Sequence, residues 1–234
     1  MAKYLLVLYS AWTVATEGFD PSKTLLIDYY PRGNVPQNFL FRGNMPTING
    51  SFAYDAIVST MSTVARQYNL TFPDNFSLID VSYLNILERS DLEIEEAFFK
   101  DNPSKGQFYN KVIVGTEITP PQDDQGLIKD VVKEYVGTLS IDKLPSLMEF
   151  LRGLLTTQDE RSLVIYTHCE AGTDRTGEVS GSYYIKFLDM SFLDALYIDN
   201  HVSSRDMYKV SRNELQWYCF YLKFVENLSI DCLV

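Results

Sequence analysis

The sequence predicts an α/β fold: a central, mostly parallel sheet of four to five strands flanked by helices, with the functional loop at the carboxyl end of one strand. Two observations support this fold class. Short apolar, β-branched runs alternate with stretches of helical periodicity, and no internal repeat, low-complexity tract or long linker divides the chain. The length of 234 residues fits one or at most two domains, and we favour one.

Four segments are predicted to be strands. The run 39–42 is short and apolar and is closed by the turn residues Gly43 and Asn44. The runs 78–81 and 163–167 are apolar enough for buried parallel strands, and 111–118 has the same β-branched character.

Helical periodicity predicts the elements that cover the sheet. Apolar residues fall on one face in 55–68, in 92–100, in a segment that begins near Leu127, and in a segment from about Ser140 to Leu155. Two Ser-x-x-Asp/Glu capping boxes predict helix starts near Ser191 and Ser211. The helix after Ser211 would turn Cys219 toward the core.

The charge balance limits the classes of partner. With 20 Lys and Arg against 31 Asp and Glu, the net charge is −11, which argues against nucleic acid and against a general role on anionic membranes. Apolar residues make up 46% of the chain, enough for a globular core. No apolar run approaches the roughly 18 residues of a membrane span, and a monomer is expected.

The chain ends and the cysteines leave the compartment open. Residues 1–38 are expected to be an N-terminal segment, 39–228 the main domain and 229–234 a tail. Residues 1–15 resemble a short secretory signal, which would make the protein secreted or luminal; otherwise it is cytoplasmic. Cys219 and Cys232 could pair, although burial of Cys219 in a helix is favoured. Glycosylation-type triplets begin at Asn49, Asn69, Asn75 and Asn227.

The segment around Cys169 carries the chemistry. Cys169 follows the predicted strand 163–167, and Arg175 stands six positions later at the predicted start of a helix. Such a loop can direct successive backbone N–H groups inward, where the helix N-terminus adds positive potential. Gly172 permits φ values that other residues resist, and Arg175 offers a planar fork to two phosphate oxygens. This pattern predicts a phosphate-binding loop.

The same donors would stabilise Cys169 as a thiolate, the nucleophilic form of cysteine. Attack on phosphorus would give a cysteinyl-phosphate, with the loop donors on the oxygens where transition-state charge accumulates. His168 is expected to tune the thiolate through hydrogen bonds to the loop backbone. Thr176 is expected to donate its hydroxyl to the sulfur when water cleaves the intermediate.

The pattern His-Cys-x-x-Gly-x-x-Arg-Thr-Gly, at residues 168–177, resembles the signature of the cysteine-dependent protein tyrosine and dual-specificity phosphatase superfamily. The segment 41–46 resembles the Arg-Ser-Gly-x-Pro element of compact members, and 78–81 resembles their second core strand. The resemblance implies that Cys169 is the nucleophile and Arg175 the phosphate clamp. It also implies that the phosphate-binding backbone is that of Glu170, Ala171, Gly172, Thr173 and Asp174, with no metal and no cofactor.

The general acid departs from the family pattern, because the usual Trp-Pro-Asp tripeptide is absent from the sequence. An Asp directly before the motif Arg is similar to a subgroup that includes myotubularin-like and bacterial lipid phosphatases, in which that residue is thought to act as the acid. Asp174 is therefore the first candidate. The alternatives are Asp124, Asp123 and Asp142.

These features predict a phosphatase acting on phosphomonoesters, with phosphotyrosine or several phosphorylated residues in proteins as the favoured substrates. The alternative substrate is a phosphoinositide. Thr173 stands where that subgroup often has Lys, which weakens the lipid alternative, whereas Arg205, Lys209 and Arg212 form a loose basic cluster that could meet a second phosphate. An alternative of another class is a phospho-ligand binding domain without catalysis.

Overall fold

The computed structural model describes residues 18–32, 35–121, 129–203 and 205–233. In these ranges the strands are β1 (Leu25–Arg32), β2 (Val35–Gly43), β3 (Thr47–Ile48), β4 (Ser51–Phe52), β5 (Phe76–Ser82), β6 (Gly106–Asn110) and β7 (Ser162–His168). The main sheet has five strands in the order β1-β2-β7-β5-β6. Its four strands β2, β7, β5 and β6 are parallel, and β1 pairs antiparallel with β2 at one edge. β3 and β4 form a separate hairpin.

Helices cover both faces of the sheet. They are α1 (Tyr54–Gln67), α2 (Arg89–Asp101), α3 (Lys129–Glu134), α4 (Leu144–Thr156), α5 (Asp174–Phe187), α6 (Phe192–Ser203) and α7 (Lys209–Phe224), and a π-helical turn follows α3. Because side chains alternate along a strand, Val164 packs in the core with α1, whereas Ile165 packs in the larger core with α4, α5 and α7. β7 is buried along its whole length, and Cys169, the residue that follows it, is buried as well.

Most predicted elements are confirmed. The predicted strands 39–42, 78–81 and 163–167 lie in β2, β5 and β7, and the predicted helix 55–68 is α1. The mostly parallel sheet of five strands between helices is the predicted α/β fold. The sheet also extends upstream of Phe39, because β1 and the first part of β2 belong to it.

The predicted strand 111–118 is wrong. The edge strand is β6, which ends at Asn110. Beyond it, the Asp142 carboxylate accepts the backbone N–H groups of Val114 at 2.8 Å and Gly115 at 2.7 Å. A carboxylate has replaced a strand as the partner of these amides, so the β-branched composition does not produce a strand.

One of the two capping boxes is confirmed. Ser191 accepts the N–H of Asp194 at 3.1 Å and caps α6. The box at Ser211 is wrong, because α7 begins at Lys209 and Ser211 lies buried inside it. The Glu214 carboxylate instead accepts the hydroxyls of Ser140 and Tyr135.

Cys219 and Cys232 form a disulfide, although the sequence favoured burial of Cys219 without this bond. The bond ties the segment after α7 back to that helix, and Gln216 donates to the carbonyl of Cys232 at 2.8 Å. The candidate signal 1–15 lies outside the described residues. Among the described helices, none is long and apolar enough to cross a bilayer.

Candidate active site

The candidate site lies at the carboxyl end of β7, in the middle of the sheet. Cys169 follows β7 and α5 begins at Asp174, so the predicted loop joins a buried strand to a helix N-terminus. Cys169 is a free thiol that is 2% exposed. It lines a cleft of about 1180 Å³, whose other lining residues include Asp91, Asp174, Arg175 and Arg205.

The carbonyl groups of residues 170–172 are all held from outside the loop. Their donors are, in order, the backbone N–H of Met45 at 3.0 Å, the Lys23 ammonium at 2.7 Å and the Arg42 guanidinium at 3.0 Å. In a trans peptide the N–H points away from the carbonyl oxygen. The N–H groups of residues 171–173 therefore face the opposite side of the loop, as a cradle for an anion requires.

Gly172 is required by this loop geometry. Its φ is +68°, and a Cβ at this position would lie 2.7 Å from the carbonyl oxygen of Gly43. A side chain would therefore strain the backbone and push the loop away from β2.

The segment 41–46, noted for its resemblance to Arg-Ser-Gly-x-Pro, supports the loop from behind. Arg42 is fully buried: Nη2 donates to the Gly172 carbonyl, and Nη1 donates to Ser180 Oγ at 2.7 Å and pairs with Asp199. The element thus joins β2, the loop and α6. The sequence did not predict this supporting role of Arg42.

Arg175 is held by Glu88, which the sequence pattern did not single out. Nη1 and Nη2 donate to the two carboxylate oxygens at 2.6 and 2.7 Å, and Nη1 also lies 3.3 Å from the Tyr83 carbonyl oxygen. Glu88 is itself placed by the backbone N–H of Asn85 at 3.0 Å. Burial alone would raise the pKa of Glu88, but the hydrogen bonds from Arg175 and Asn85 lower it. These contacts leave the Nε edge of the guanidinium for two phosphate oxygens.

His168 lies between two buried carboxylates that the sequence pattern also did not single out. Nε2 is 3.1 Å from Asp80 Oδ1 in β5 and 3.1 Å from Glu95 Oε1 in α2, and all three side chains are 0% exposed. Nδ1 is 3.4 Å from the carbonyl oxygen of Cys169. Burial alone would lower the pKa of His168, but the charges of Glu95 and Asp80 and their hydrogen bonds raise it well above its usual range. A protonated ring can direct one N–H to the carboxylates and the other to the loop.

Asp80, Glu95 and His168 are also close enough to hold a metal ion, since one ligand atom from each lies within 4.8 Å of the others. A metal would need the lone pair of Nε2 and would compete with its proton. We interpret the cluster as a buried ion pair between His168 and the two carboxylates, each 3.1 Å from Nε2.

The Thr176 side chain contacts the backbone of Cys169. Its hydroxyl oxygen accepts the Cys169 N–H at 2.8 Å, which leaves the hydroxyl hydrogen to be donated elsewhere. The predicted donation to the sulfur stays a prediction.

Asp174, the first candidate for the general acid, lines the cleft but has a cationic partner. Its two carboxylate oxygens accept hydrogen bonds from Arg205 at 3.0 and 2.6 Å, and one also accepts the Tyr208 N–H at 2.8 Å. Arg205, one of the three residues of the predicted basic cluster, is therefore paired with a carboxylate. Lys209 lies 3.9 Å from Glu117.

The other predicted acids are placed differently. Asp123 and Asp124 lie outside the described residues. Asp142 binds the amides after β6 and is not among the residues lining the cleft. Asp91, in the first turn of α2, does line the cleft, although no sequence pattern singled it out. Burial and the charges of Glu95 and Glu88 raise the pKa of Asp91.

Similarity to known proteins is found among solved structures. No family model and no curated protein matches the sequence. Among solved structures, the chain is similar to a kinase associated phosphatase with serine in place of its catalytic-site cysteine, at 14% identity over 82% of this chain and 89% of that chain, TM-score 0.45. It is also similar to the Yvh1 phosphatase domain from Chaetomium thermophilum, at 13% identity over 82% and 94%, TM-score 0.39.

A third similar structure is the human tyrosine phosphatase-like serine/threonine/tyrosine-interacting protein, at 14% identity over 78% of this chain and 93% of that chain, TM-score 0.38. All three are named as phosphatases or as phosphatase-like. With identities and TM-scores this low, we base the function on the site itself.

Proposed function

We propose that the chain is a cysteine-dependent phosphatase that hydrolyses phosphomonoesters through a cysteinyl-phosphate intermediate. One observation carries the proposal: the carbonyls of residues 170–172 are tied from outside, and Cys169 and Arg175 border the same cleft as this loop. A thiolate, converging amides and a guanidinium edge are what transfer of a phosphoryl group to sulfur requires.

In the first step the Cys169 thiolate attacks phosphorus. The sulfur–phosphorus bond forms, the bond from phosphorus to the ester oxygen breaks, and that oxygen takes a proton from a carboxylic acid. In the second step water attacks phosphorus, the sulfur–phosphorus bond breaks, and the carboxylate takes the proton from water. The loop amides and Arg175 bind the phosphoryl oxygens throughout. Thr176 donates its hydroxyl hydrogen to the departing sulfur.

Asp174 is the proposed general acid, with Asp91 as the competing candidate. Asp174 neighbours Arg175 at the mouth of the loop, but Arg205 stabilises its ionised form. For Asp174 to carry a proton, Arg205 has to turn to another anion, and the phosphate of the substrate is the natural competitor. Asp91 is favoured by its raised pKa.

Leaving groups distinguish these two acids. Asp174→Asn is expected to slow hydrolysis of alkyl phosphates by about 100-fold or more and of an activated aryl phosphate much less, since only a poor leaving group needs the proton. Asp91→Asn, the matched control, is expected to change both rates by only a few-fold. The reverse pattern would assign the acid to Asp91.

Phosphoproteins are the proposed substrates, phosphotyrosine first and dual specificity next. Thr173 stands where a lysine would attract an inositol headgroup, and the chain carries a net charge of −11. The alternative, a phosphoinositide, is favoured by Lys23 and Arg205 near the cleft. A panel of phosphopeptides and short-chain phosphoinositides distinguishes them: higher kcat/KM on the lipids would contradict the proposal.

The test of the activity itself uses an aryl phosphate with a metal chelator present. We expect turnover that Cys169→Ser abolishes and that Arg175→Lys, which keeps the charge but loses the planar fork, reduces by about 100-fold or more. Stoichiometric binding of phosphate without turnover would instead identify a phospho-ligand binding domain. Neither turnover nor binding would reject both readings.

A further inference from the structure

A buried disulfide distinguishes this chain from an ordinary cytosolic enzyme. Cys219 in α7 and Cys232 in the C-terminal segment are joined, and both are 0% exposed. Disulfides form and persist in oxidising compartments and are rare where glutathione keeps thiols reduced. The disulfide therefore points to folding in the secretory pathway.

Four asparagine triplets give a second, independent observation. The triplets of the form Asn-x-Ser/Thr begin at Asn49, Asn69, Asn75 and Asn227, and all four asparagines are exposed. Of the seven other asparagines whose burial the structure describes, Asn110 alone is exposed. Exposure thus coincides with the triplet, which is the requirement for an asparagine that carries a bulky oligosaccharide.

Backbone conformation alone does not explain these positions. Asn49, Asn69 and Asn227 have φ values of 50°, 58° and 60°, a region in which asparagine is better tolerated than most residues. That tolerance accounts for an asparagine in a turn. It does not account for the serine or threonine two positions later in every case, nor for Asn75, which precedes β5 with no positive φ.

The four positions can be modified without disturbing the core. Asn69 and Asn75 lie on the connection between α1 and β5, near the amino-terminal ends of the parallel strands, whereas Cys169 follows a carboxyl end. Asn227 follows α7. Asn49 is at the tip of the β3–β4 hairpin and lines the cleft, so a glycan there would stand at its rim.

We propose that the protein is a glycoprotein of the secretory pathway, N-glycosylated at Asn49, Asn69, Asn75 and Asn227 and closed by the disulfide between Cys219 and Cys232. At each asparagine, Nδ2 loses a proton and bonds to the anomeric carbon of a sugar, while the bond from that carbon to a lipid diphosphate donor breaks. The two thiols lose two electrons and two protons to a luminal disulfide oxidant.

Peptide mapping of the protein isolated from its natural source tests both parts. Free thiols are alkylated, the protein is digested without reduction, and half of the sample is treated with peptide N-glycosidase F, which converts an occupied asparagine to aspartate. We expect aspartate at all four triplets, a linked peptide pair through Cys219 and Cys232, and alkylation at Cys169. Unmodified asparagines, or alkylated Cys219 and Cys232, would overturn the corresponding part.

A matched pair of variants checks that the triplet itself directs the modification. In the full chain expressed in eukaryotic cells under its own N-terminal residues, Ser51→Ala is expected to lose the mass of one glycan, and Ser51→Thr is expected to keep it. Equal glycan mass on the two variants would contradict modification at Asn49. These readouts do not use catalysis, so they stand or fail separately from the proposed phosphatase activity.

Discussion

The two carboxylates around His168 offer a direct test of the charge on this ring. The double variant Asp80→Asn/Glu95→Gln keeps the side-chain shapes but removes both charges, each 3.1 Å from Nε2. Without them, burial favours the neutral imidazole. The variant is therefore expected to convert a protonated His168 into a neutral one.

The size of the effect follows from these distances. At an effective dielectric constant of about 20, two unit charges about 3 Å apart interact by about 5 kcal/mol. At about 1.4 kcal/mol for each factor of ten, the loss of one such interaction lowers the proton affinity of the ring by about 1000-fold or more, so the ring of the double variant should be neutral at pH 7.

The assay is the pH profile of the His168 ring signals in NMR spectra, which can be assigned because the chain has two histidines and the variant His201→Gln removes the other one. We expect the chemical shifts of a protonated ring at pH 7 in the unmodified protein and those of a neutral ring in the double variant. Asp80→Asn alone should shift the profile in the same direction by less, which keeps the test usable if the double variant fails to fold.

The control is Glu214→Gln, which removes a buried carboxylate bound by Ser140 and Tyr135 and should leave the profile unchanged. A folded double variant with the profile of the unmodified protein would refute the reasoning. A stoichiometric metal in the unmodified protein that the double variant loses would also refute it, since the cluster would then be a metal site.

Two further predictions concern the loop and the core. Gly172→Ala is expected to lose most of the activity, because a Cβ would lie 2.7 Å from the Gly43 carbonyl oxygen. The control is Gly153→Ala in α4, where a Cβ meets nothing within 4 Å; it should keep the activity and raise the free energy of unfolding by about 0.5–1 kcal/mol. Similar activities in the two variants would contradict this account. Burial and the charge of Asp142 raise the pKa of Glu178 well above 4.5, so the stability from its protonated form is present below pH 4.5 and is lost as pH rises through the folded pKa. The thermal unfolding temperature of Glu178→Gln should therefore depend less on pH above about 5 than that of the unmodified chain. Parallel curves of unfolding temperature against pH would contradict the assignment.

The fold and the motif at Cys169 could be predicted because their signals are local. A run such as 163–167 predicts a buried strand, and the ten residues 168–177 place Cys169 and Arg175 close together around one loop. Lys111 to Ile118 shows where local composition misleads: its amides bind Asp142, 28 positions away at Val114, and no local pattern encodes that contact.

The contacts that tune the site were not predictable for the same reason. Arg42 meets Gly172 across 130 positions, and Glu88 meets Arg175 across 87, so both pairings depend on the strand order β2-β7-β5. Partial signals did exist. Asn85-x-x-Glu88 is a capping-box pattern, and Asp80 is a charged residue within an otherwise apolar strand, which indicates a buried partner.

The acidic surplus of the chain and an anionic substrate are compatible because the cations at the cleft have acidic partners close by. Arg175 pairs with Glu88, and Arg205 pairs with Asp174. Each pair is nearly neutral when seen from beyond a Debye length of about 10 Å, so the site projects little positive field into solution. At contact distance the amides of the loop and the Nε edge of Arg175 would still bind phosphate under the proposed function, because these interactions act over a few ångströms. Capture of substrate should therefore depend weakly on ionic strength, and selectivity should arise from the fit of the phosphorylated group in the cleft.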